Sequence, residues 1–347
     1  MNQIIRSPST IEGIVVPPGD KSISHRAALL NAIANGTSHV SNFCAGDDRT
    51  SMLRCLRALG AQIKNHSSCA ISEGDDCFQI SGQGPMALKE PTGVINAGNS
   101  GTTIRLVSGL LASQPFLSII TGDQSLRNRP MDRIVNPLSK MGATVMGRSQ
   151  NSLPPLAIRG GRLVGIEYAS PIASAQVKSC LLIAGLHAEG ETVVHEPAKS
   201  RDHTERIMKA MGANIKIQGS SLRVRPSEMF SMSMRIPTDI SAASFWLVAA
   251  CCHPDARIRI NRVNINPSRT GVLDVLKSMG ARIHMENIRN DEVEPVADLV
   301  AESSQLEATE IAGDMIPRVI DEIPVLALAA CFANGATIIK DAQELRF

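Results

Sequence analysis

The sequence predicts an α/β protein of two domains, each assembled from copies of one helix–strand unit. Three observations lead there. At 347 residues the chain exceeds what one hydrophobic core commonly organises. One helix ending recurs four times, as Ala58-Leu-Gly-Ala-Gln-Ile63, Lys140-Met-Gly-Ala-Thr-Val145, Ala210-Met-Gly-Ala-Asn-Ile215 and Ser278-Met-Gly-Ala-Arg-Ile283. Its glycines, at 60, 142, 212 and 280, are 82, 70 and 68 residues apart, the kind of period that signals duplicated architecture. Finally, three helix patterns open with the same chemistry, a polar start with a cation one turn later.

In chain order, Gly19-Asp-Lys-Ser-Ile-Ser-His-Arg26 opens the first long helix pattern, and Ala34-Asn-Gly-Thr-Ser-His-Val40 is a turn running into a strand. The helix closed by Gly60 follows, since a glycine after the last turn is the expected cap and an alternating stretch comes next. Asn99-Ser-Gly-Thr102 starts the second copy, with Arg105 one turn after Gly101. Ser174-Ala-Gln176 starts the third, with Lys178 one turn after Ser174; Ala188-Glu-Gly-Glu-Thr-Val-Val194 repeats the turn and strand, and the amphipathic run 204–210 leads to Gly212. A fourth copy ends at Gly280. A fifth begins at Asp321-Glu-Ile-Pro, with a helix expected over 325–332 and a strand over 336–339, and Asp321 aligned with Ser22 or Gly101 of earlier copies. The rigid stretches Pro17-Pro-Gly-Asp20 and Ile236-Pro-Thr-Asp239 are the expected inter-domain strands. They place one domain over 20–237 and a second over 1–19 plus 238–347. The fifth copy stops at Glu344-Leu-Arg-Phe347 without its second helix, so the chain reads as C-terminally truncated relative to the fold it encodes.

Composition removes several functional classes. The chain is 43% apolar and 20% charged, with no apolar run of bilayer length. A net charge of +2 with one Trp and one Tyr gives neither a basic field nor a stacking platform for nucleic acid. Eight cysteines lack metal-ligand spacing, and Cys180 and Cys331 are expected to be buried thiols. Neither a signal peptide nor a membrane span is read, which fits the reducing cytoplasm.

The helix starts carry the chemistry. First-turn N–H groups lack intrahelical partners and bear partial positive charge, so they attract phosphate or carboxylate. Lys21 adds an ammonium, Ser22 a hydroxyl and Arg26 a planar fork. Three such starts predict a cleft for a small substrate with several negative charges.

The strings Gly19–Arg26, Asn99–Arg105, Arg127-Asn-Arg-Pro-Met131, Ser174–Lys178, Ser200-Arg-Asp-His-Thr-Glu205 and Ile320-Asp-Glu-Ile-Pro324 occur in family order, and with them the chain resembles 5-enolpyruvylshikimate-3-phosphate synthases. The Ser-Ala-Gln-Val-Lys and Arg-Asp-His-Thr-Glu forms resemble the bacterial class II subgroup. The resemblance implies an inside-out α/β barrel in each of two domains, every domain made of three inverse α/β units, with the last unit and a half missing here. It implies enolpyruvyl transfer from phosphoenolpyruvate to the 5-hydroxyl of shikimate 3-phosphate, in the cytoplasm, by a monomer with no metal or organic cofactor. By position, Lys21 would contact both substrates; Ser22, Arg26, Ser174, Ala175, Gln176 and Ser200 would hold shikimate 3-phosphate. Asn99, Gly101, Arg129 and Gln176 would hold phosphoenolpyruvate, and Asp321 would accept the hydroxyl proton. The family's Val-Lys-Glu-Ser-Asp-Arg continuation is replaced by Phe347, which removes further cations for phosphoenolpyruvate.

Two rival readings stand beside this one. One is a non-catalytic remnant that at most binds shikimate 3-phosphate; the other is the sister transferase acting on a UDP-sugar, disfavoured by the Lys-Ser-Ile-Ser-His-Arg string. His25, His195 and His203 read as local structural, surface or cap residues. Arg127, Arg133 and Arg201 read equally as solvated or supporting charges, and Glu322 as a helix-start carboxylate.

Overall fold

The computed structural model describes residues 8–66, 76–290 and 293–346, so Cys69 and Phe347 lie outside the described residues. The chain divides into two compact units, Gly19–Ile236 and Met1–Pro18 with Pro237–Phe347. The first described strand, β1 (Ile11–Val15), belongs to the second of these.

Unit Gly19–Ile236 repeats one arrangement three times. The first copy is α1 (Lys21–Ala32), β2 (Asn35–Ser41), α2 (Asp47–Ala58), β3 (Gln62–His66) and β4 (Cys77–Gln83). The second is β5 (Ile95–Asn96), α3 (Gly101–Ala112), β6 (Leu117–Thr121), α4 (Asp132–Lys140), β7 (Thr144–Gly147), the single turn α5 (Arg148–Asn151) and β8 (Leu153–Arg159). The third is β9 (Glu167–Ala169), α6 (Ala175–Gly185), β10 (Thr192–His195), α7 (His203–Ala210), β11 (Ile215–Gln218) and β12 (Ser221–Val224), after which β13 (Met234–Arg235) ends the unit.

Each copy owns a four-stranded sheet of one topology: β13-β2-β4-β3, β5-β6-β8-β7 and β9-β10-β12-β11. The first pair in each is parallel and the other two pairs are antiparallel. A parallel pair needs a crossover, which α3 and α6 supply. In the first copy the parallel edge comes from the far end of the unit, with Met234 opposite Val40 and Arg235 opposite Ser41. The three copies therefore close on themselves. The first helices form the inner layer, with Leu29, Leu30, Leu106, Leu110, Leu181 and Leu182 fully buried. Helices α3 and α6 approach so closely that a Cβ on Gly109 would stand 2.3 Å from the Cys180 carbonyl oxygen.

The second unit builds one four-stranded sheet and one two-stranded sheet. With α8 (Ile240–Cys252), β14 (Ala256–Asn264), α9 (Gly271–Ser278), β15 (Arg282–Arg289) and β16 (Val296–Glu302), the sheet order is β1-β14-β16-β15, with β1 parallel to β14. Its core joins Leu247, Ile258, Ile260, Leu276, Leu299 and Leu326. Then β17 (Glu310–Ile311), α10 (Ile316–Val319), α11 (Ile323–Ala330) and β18 (Ile338–Ile339) give a parallel β17-β18 pair.

All four glycine endings are helix caps with positive φ: +86° at Gly60, +107° at Gly142, +91° at Gly212 and +85° at Gly280. Each is a Schellman motif. The alanine after the glycine donates back to Leu56, Leu138, Met208 and Leu276 at 2.9–3.1 Å. Four expectations need correction. Helix α11 begins at Ile323, not 325, because Pro324 is tolerated in a first turn, and β18 is limited to the two residues that β17 can pair. Cys331 is exposed, since the fifth copy has no second helix among the described residues to cover that face. His203, expected at a surface or cap, begins α7 but is fully buried.

Candidate active site

The site in unit Gly19–Ile236 starts from three helix N-termini. Asp20, Ser100 and Ser174 are the caps, accepting from the N–H groups of Ile23 at 3.0 Å, Thr103 at 3.2 Å and Val177 at 3.4 Å. Their carbonyls also begin the helical ladders, receiving Ser24, Ile104 and Lys178. Helices α3 and α6 run side by side in the same direction: Gln176 Nε2 donates to Thr102 Oγ1 at 3.1 Å in the first turns, and Gly109 meets Cys180 further along. Arg26 bridges α1 to α6 through Ser179 Oγ at 2.9 Å. Three positive helix ends thus share one end of the unit.

Around Gly101 this end becomes strongly cationic. A Cβ at Gly101 would stand 2.8 Å from Arg105 Nη1 and 3.2 Å from Arg129 Nη1. Arg105 donates to Gln176 Oε1 at 2.7 Å and to the Pro130 carbonyl at 3.0 Å. Burial, with Arg129 and then Arg133 nearby, pulls the Arg105 guanidinium down to about 10, so it stays charged at neutral pH. Arg129 bonds Asn99 Oδ1, and Asn99 Nδ2 in turn donates to Asp123 Oδ2 at 2.7 Å. Asn99, Gly101, Arg129 and Gln176 are therefore brought together, with Arg105 as the residue that joins them. Like charges held this close are costly without an anion, so the cluster suits a phosphate or carboxylate.

The other predicted residues are placed less uniformly. Lys21 is exposed at the first position of α1, with Ser22 beside it half-buried. Arg26 is only 3% exposed; its fork donates to Thr204 Oγ1 at 2.6 Å, Ser179 Oγ and the Ser22 carbonyl, and so faces α6 and α7. Ser174 and Ala175 are half-buried at the α6 start, while Ser200 is buried and gives its hydroxyl proton to Glu196. Lys178 corrects the expectation of a third cation trap. Its ammonium is buried 2.9 Å from Glu196 Oε2 and 2.7 Å from Glu205 Oε1, so it neutralises carboxylates of the protein itself.

Asp321 lies in the second unit, and its alignment is also corrected. The ladder of α11 starts at the Glu322 carbonyl, as those of α1 and α3 start at Asp20 and Ser100. Asp321 therefore matches Gly19 and Asn99, one residue before the cap, and not Ser22 or Gly101. Its carboxylate is 53% exposed and 3.6 Å from Arg269 Nη1. Arg269, 3% exposed, also lies 3.3 Å from Asp239 Oδ1, 2.5 Å from Ser241 Oγ and 3.7 Å from Glu322 Oε1. Glu322 stands at the N-cap position of α11, as expected of a helix-start carboxylate; its side chain makes no cap hydrogen bond and accepts from Ser241 Oγ.

Residues 5–347 match the family model for EPSP synthase (3-phosphoshikimate 1-carboxyvinyltransferase). The chain belongs to the EPSP synthase family. It is 48% identical over 349 residues to the 3-phosphoshikimate 1-carboxyvinyltransferase of Thermodesulfovibrio yellowstonii, covering all of this chain and 80% of that protein. Against the same enzyme of Gloeothece citriformis it is 52% identical, covering 99% of this chain and 77% of that one. Among solved structures, EPSP synthase of Acinetobacter baumannii aligns with a TM-score of 0.87 at 42% identity, over 99% of this chain and 76% of its own. The enolpyruvyl transferase NikO of Streptomyces tendae aligns with a TM-score of 0.74 at 18% identity over 95% of this chain and 75% of its own, a likeness of fold alone.

Sequence reasoning missed Arg269, Glu196 and Glu205. For Arg269 a signal existed. Arg129, Ser200 and Arg269 all lie in the loop between a copy's second strand and second helix, so the repeat itself points to that loop. For Glu196 there was none, and Glu205, although it ends one of the family strings, gave no sign of a shared lysine.

Proposed function

We propose that the chain transfers the enolpyruvyl group of phosphoenolpyruvate to the 5-hydroxyl of shikimate 3-phosphate, releasing phosphate in the branch that leads to chorismate and the aromatic amino acids. The carrying observation is the cationic group Arg105–Arg129 around Gly101 in a chain about half identical, end to end, to enzymes of that name. Both substrates carry a phosphate and a carboxylate, and helix ends with guanidinium groups offset the repulsion between them. In this reading Asn99, Gly101, Arg129 and Gln176 hold phosphoenolpyruvate. Ser22, Arg26, Ser174, Ala175, Gln176 and Ser200 hold shikimate 3-phosphate, with Ser174, Ala175 and Ser200 at its phosphate and Arg26 chiefly at its carboxylate, and Lys21 contacts both. Asp321 accepts the hydroxyl proton; Arg269 beside it supports the ionised, accepting form. Holding two reactants together can itself contribute roughly 7–11 kcal/mol.

The finer architecture is proposed with it: two domains over 20–237 and over 1–19 plus 238–347, each an inside-out barrel of inverse α/β units in the class II form, working as a cytoplasmic monomer. The matched relatives are longer, with 75–80% of their length covered by this chain. A second reading, a binder of shikimate 3-phosphate without turnover, stands beside it. Phosphate release from both substrates separates the two. Release that needs both, and falls at least ~100-fold in Lys21→Ala and Asp321→Asn, supports the transferase. Binding without release selects the second reading, and no binding at all sinks both.

A further inference from the structure

We propose that Glu196 is a positioning residue that sets the Ser200 hydroxyl for the phosphate of shikimate 3-phosphate, with Lys178 and Glu205 holding Glu196 in place. The inference rests on the reading above that Ser200 meets that phosphate.

Three elements contribute, α6, α7 and the loop between β10 and α7. Glu196 directly follows β10, Lys178 is on α6, Glu205 on α7, and Ser200 lies in the loop between β10 and α7. One oxygen of Glu196 accepts the Ser200 hydroxyl, while the other is 2.9 Å from the Lys178 ammonium. Lys178 also reaches Glu205 Oε1 at 2.7 Å and the Ser200 carbonyl at 3.5 Å. The side chains of Lys178, Glu196 and Glu205 are each 2% exposed, so water does not compete for these bonds.

A hydroxyl carries a single proton. While that proton goes to Glu196, Ser200 offers an arriving phosphate only lone pairs. To bind, the O–H must turn from carboxylate to phosphate. Glu196 can release it because its charge remains matched by Lys178 in a buried site. Burial pushes the Glu205 carboxyl above its ordinary range against the pull of Lys178, whose ammonium sits between the two carboxylates and fixes both. The arrangement thus holds Ser200 in one place with an exchangeable proton, and its effect is confined to the phosphorylated ligand.

The test is isothermal titration of the parent, Ser200→Ala, Glu196→Asp and Glu196→Gln with shikimate 3-phosphate and with shikimate. Glu196→Asp keeps the charge for Lys178 but withdraws the carboxylate from Ser200. It should lose about tenfold in affinity for the phosphorylated ligand, as Ser200→Ala does, with affinity for shikimate within about twofold of the parent. Glu196→Gln can turn its amide oxygen to Lys178 and its NH2 to Ser200, leaving the hydroxyl proton for phosphate, and should keep the parent's discrimination. Parent-like discrimination in Glu196→Asp, or its loss in Glu196→Gln, overturns the positioning role. A misfolded Glu196→Asp leaves Glu196→Gln to decide. Parent-like discrimination in Ser200→Ala would instead remove the phosphate reading of Ser200, and this inference with it.

Discussion

At the scale of single residues, Gly101 is the sharpest probe of the cationic end. A methyl group there points at the tips of Arg105 and Arg129, flexible groups that can move, and the backbone needs no special φ. Gly101→Ala should therefore leave the thermal midpoint unchanged or slightly higher, because alanine favours a helix more than glycine does. It should weaken phosphoenolpyruvate about tenfold while shikimate 3-phosphate binding stays within twofold, both read by titration. Equal losses for both ligands would mean that the arginines do not divide the site as described. Much of this corner was legible in the sequence, since Asn99, Gly101, Arg129 and Gln176 sit in strings that specify one family. What the strings could not show was direction. A lysine one turn after a cap can turn outward to an anion or inward to carboxylates from other elements, and Lys178 turns inward. Arg26 likewise shares its fork with Thr204 and Ser179, partners that no local pattern reveals.

At the scale of elements, the recurrent glycine ending was read correctly because its physics is local. A helix must stop, its last carbonyls need donors, and a residue with positive φ supplies them. Gly142, at φ +107°, has no neighbour closer than 3.6 Å to an added Cβ, so the backbone alone resists substitution. Gly142→Ala should cost about 1–2 kcal/mol in urea unfolding. Gly93→Ala, with open space and an ordinary φ, should stay within about 0.5 kcal/mol of the parent. Equal effects would refute the cap assignment. The ends of α11 and β18 were less legible, because an all-apolar helix offers no periodicity and a two-residue strand is defined only by its partner. Without a covering element among the described residues, α11 leaves Leu328 52% exposed, with Phe332 just beyond it at 59%.

At the scale of the whole molecule, duplication was visible from spacing but closure was not. No sequence pattern says that Met234 and Arg235 complete the sheet of the first copy. The same unit holds a half-buried group that makes stability depend on pH. Burial pulls the His187 imidazole from 6.5 down to about 4, and its Nε2 has no partner among the described residues. A folded value below the unfolded one means that the neutral ring is favoured in the fold. Its contribution is intact above about 6.5 and is lost as pH falls toward 4, up to about 3 kcal/mol. His187→Gln should flatten the fall in unfolding free energy across that window, measured by urea titrations at successive pH values; an unchanged slope would contradict the assignment.

The claim underlying all of this is that the beginnings of α1, α3 and α6 form one anion-binding end. Backbone amide spectra recorded during titration with shikimate 3-phosphate, then phosphoenolpyruvate, test it most directly. The first ligand should shift Ser22, Ala175 and Ser200, and the second should add Gly101 and its neighbours. Perturbations that appear elsewhere while these first-turn amides stay still would contradict the account.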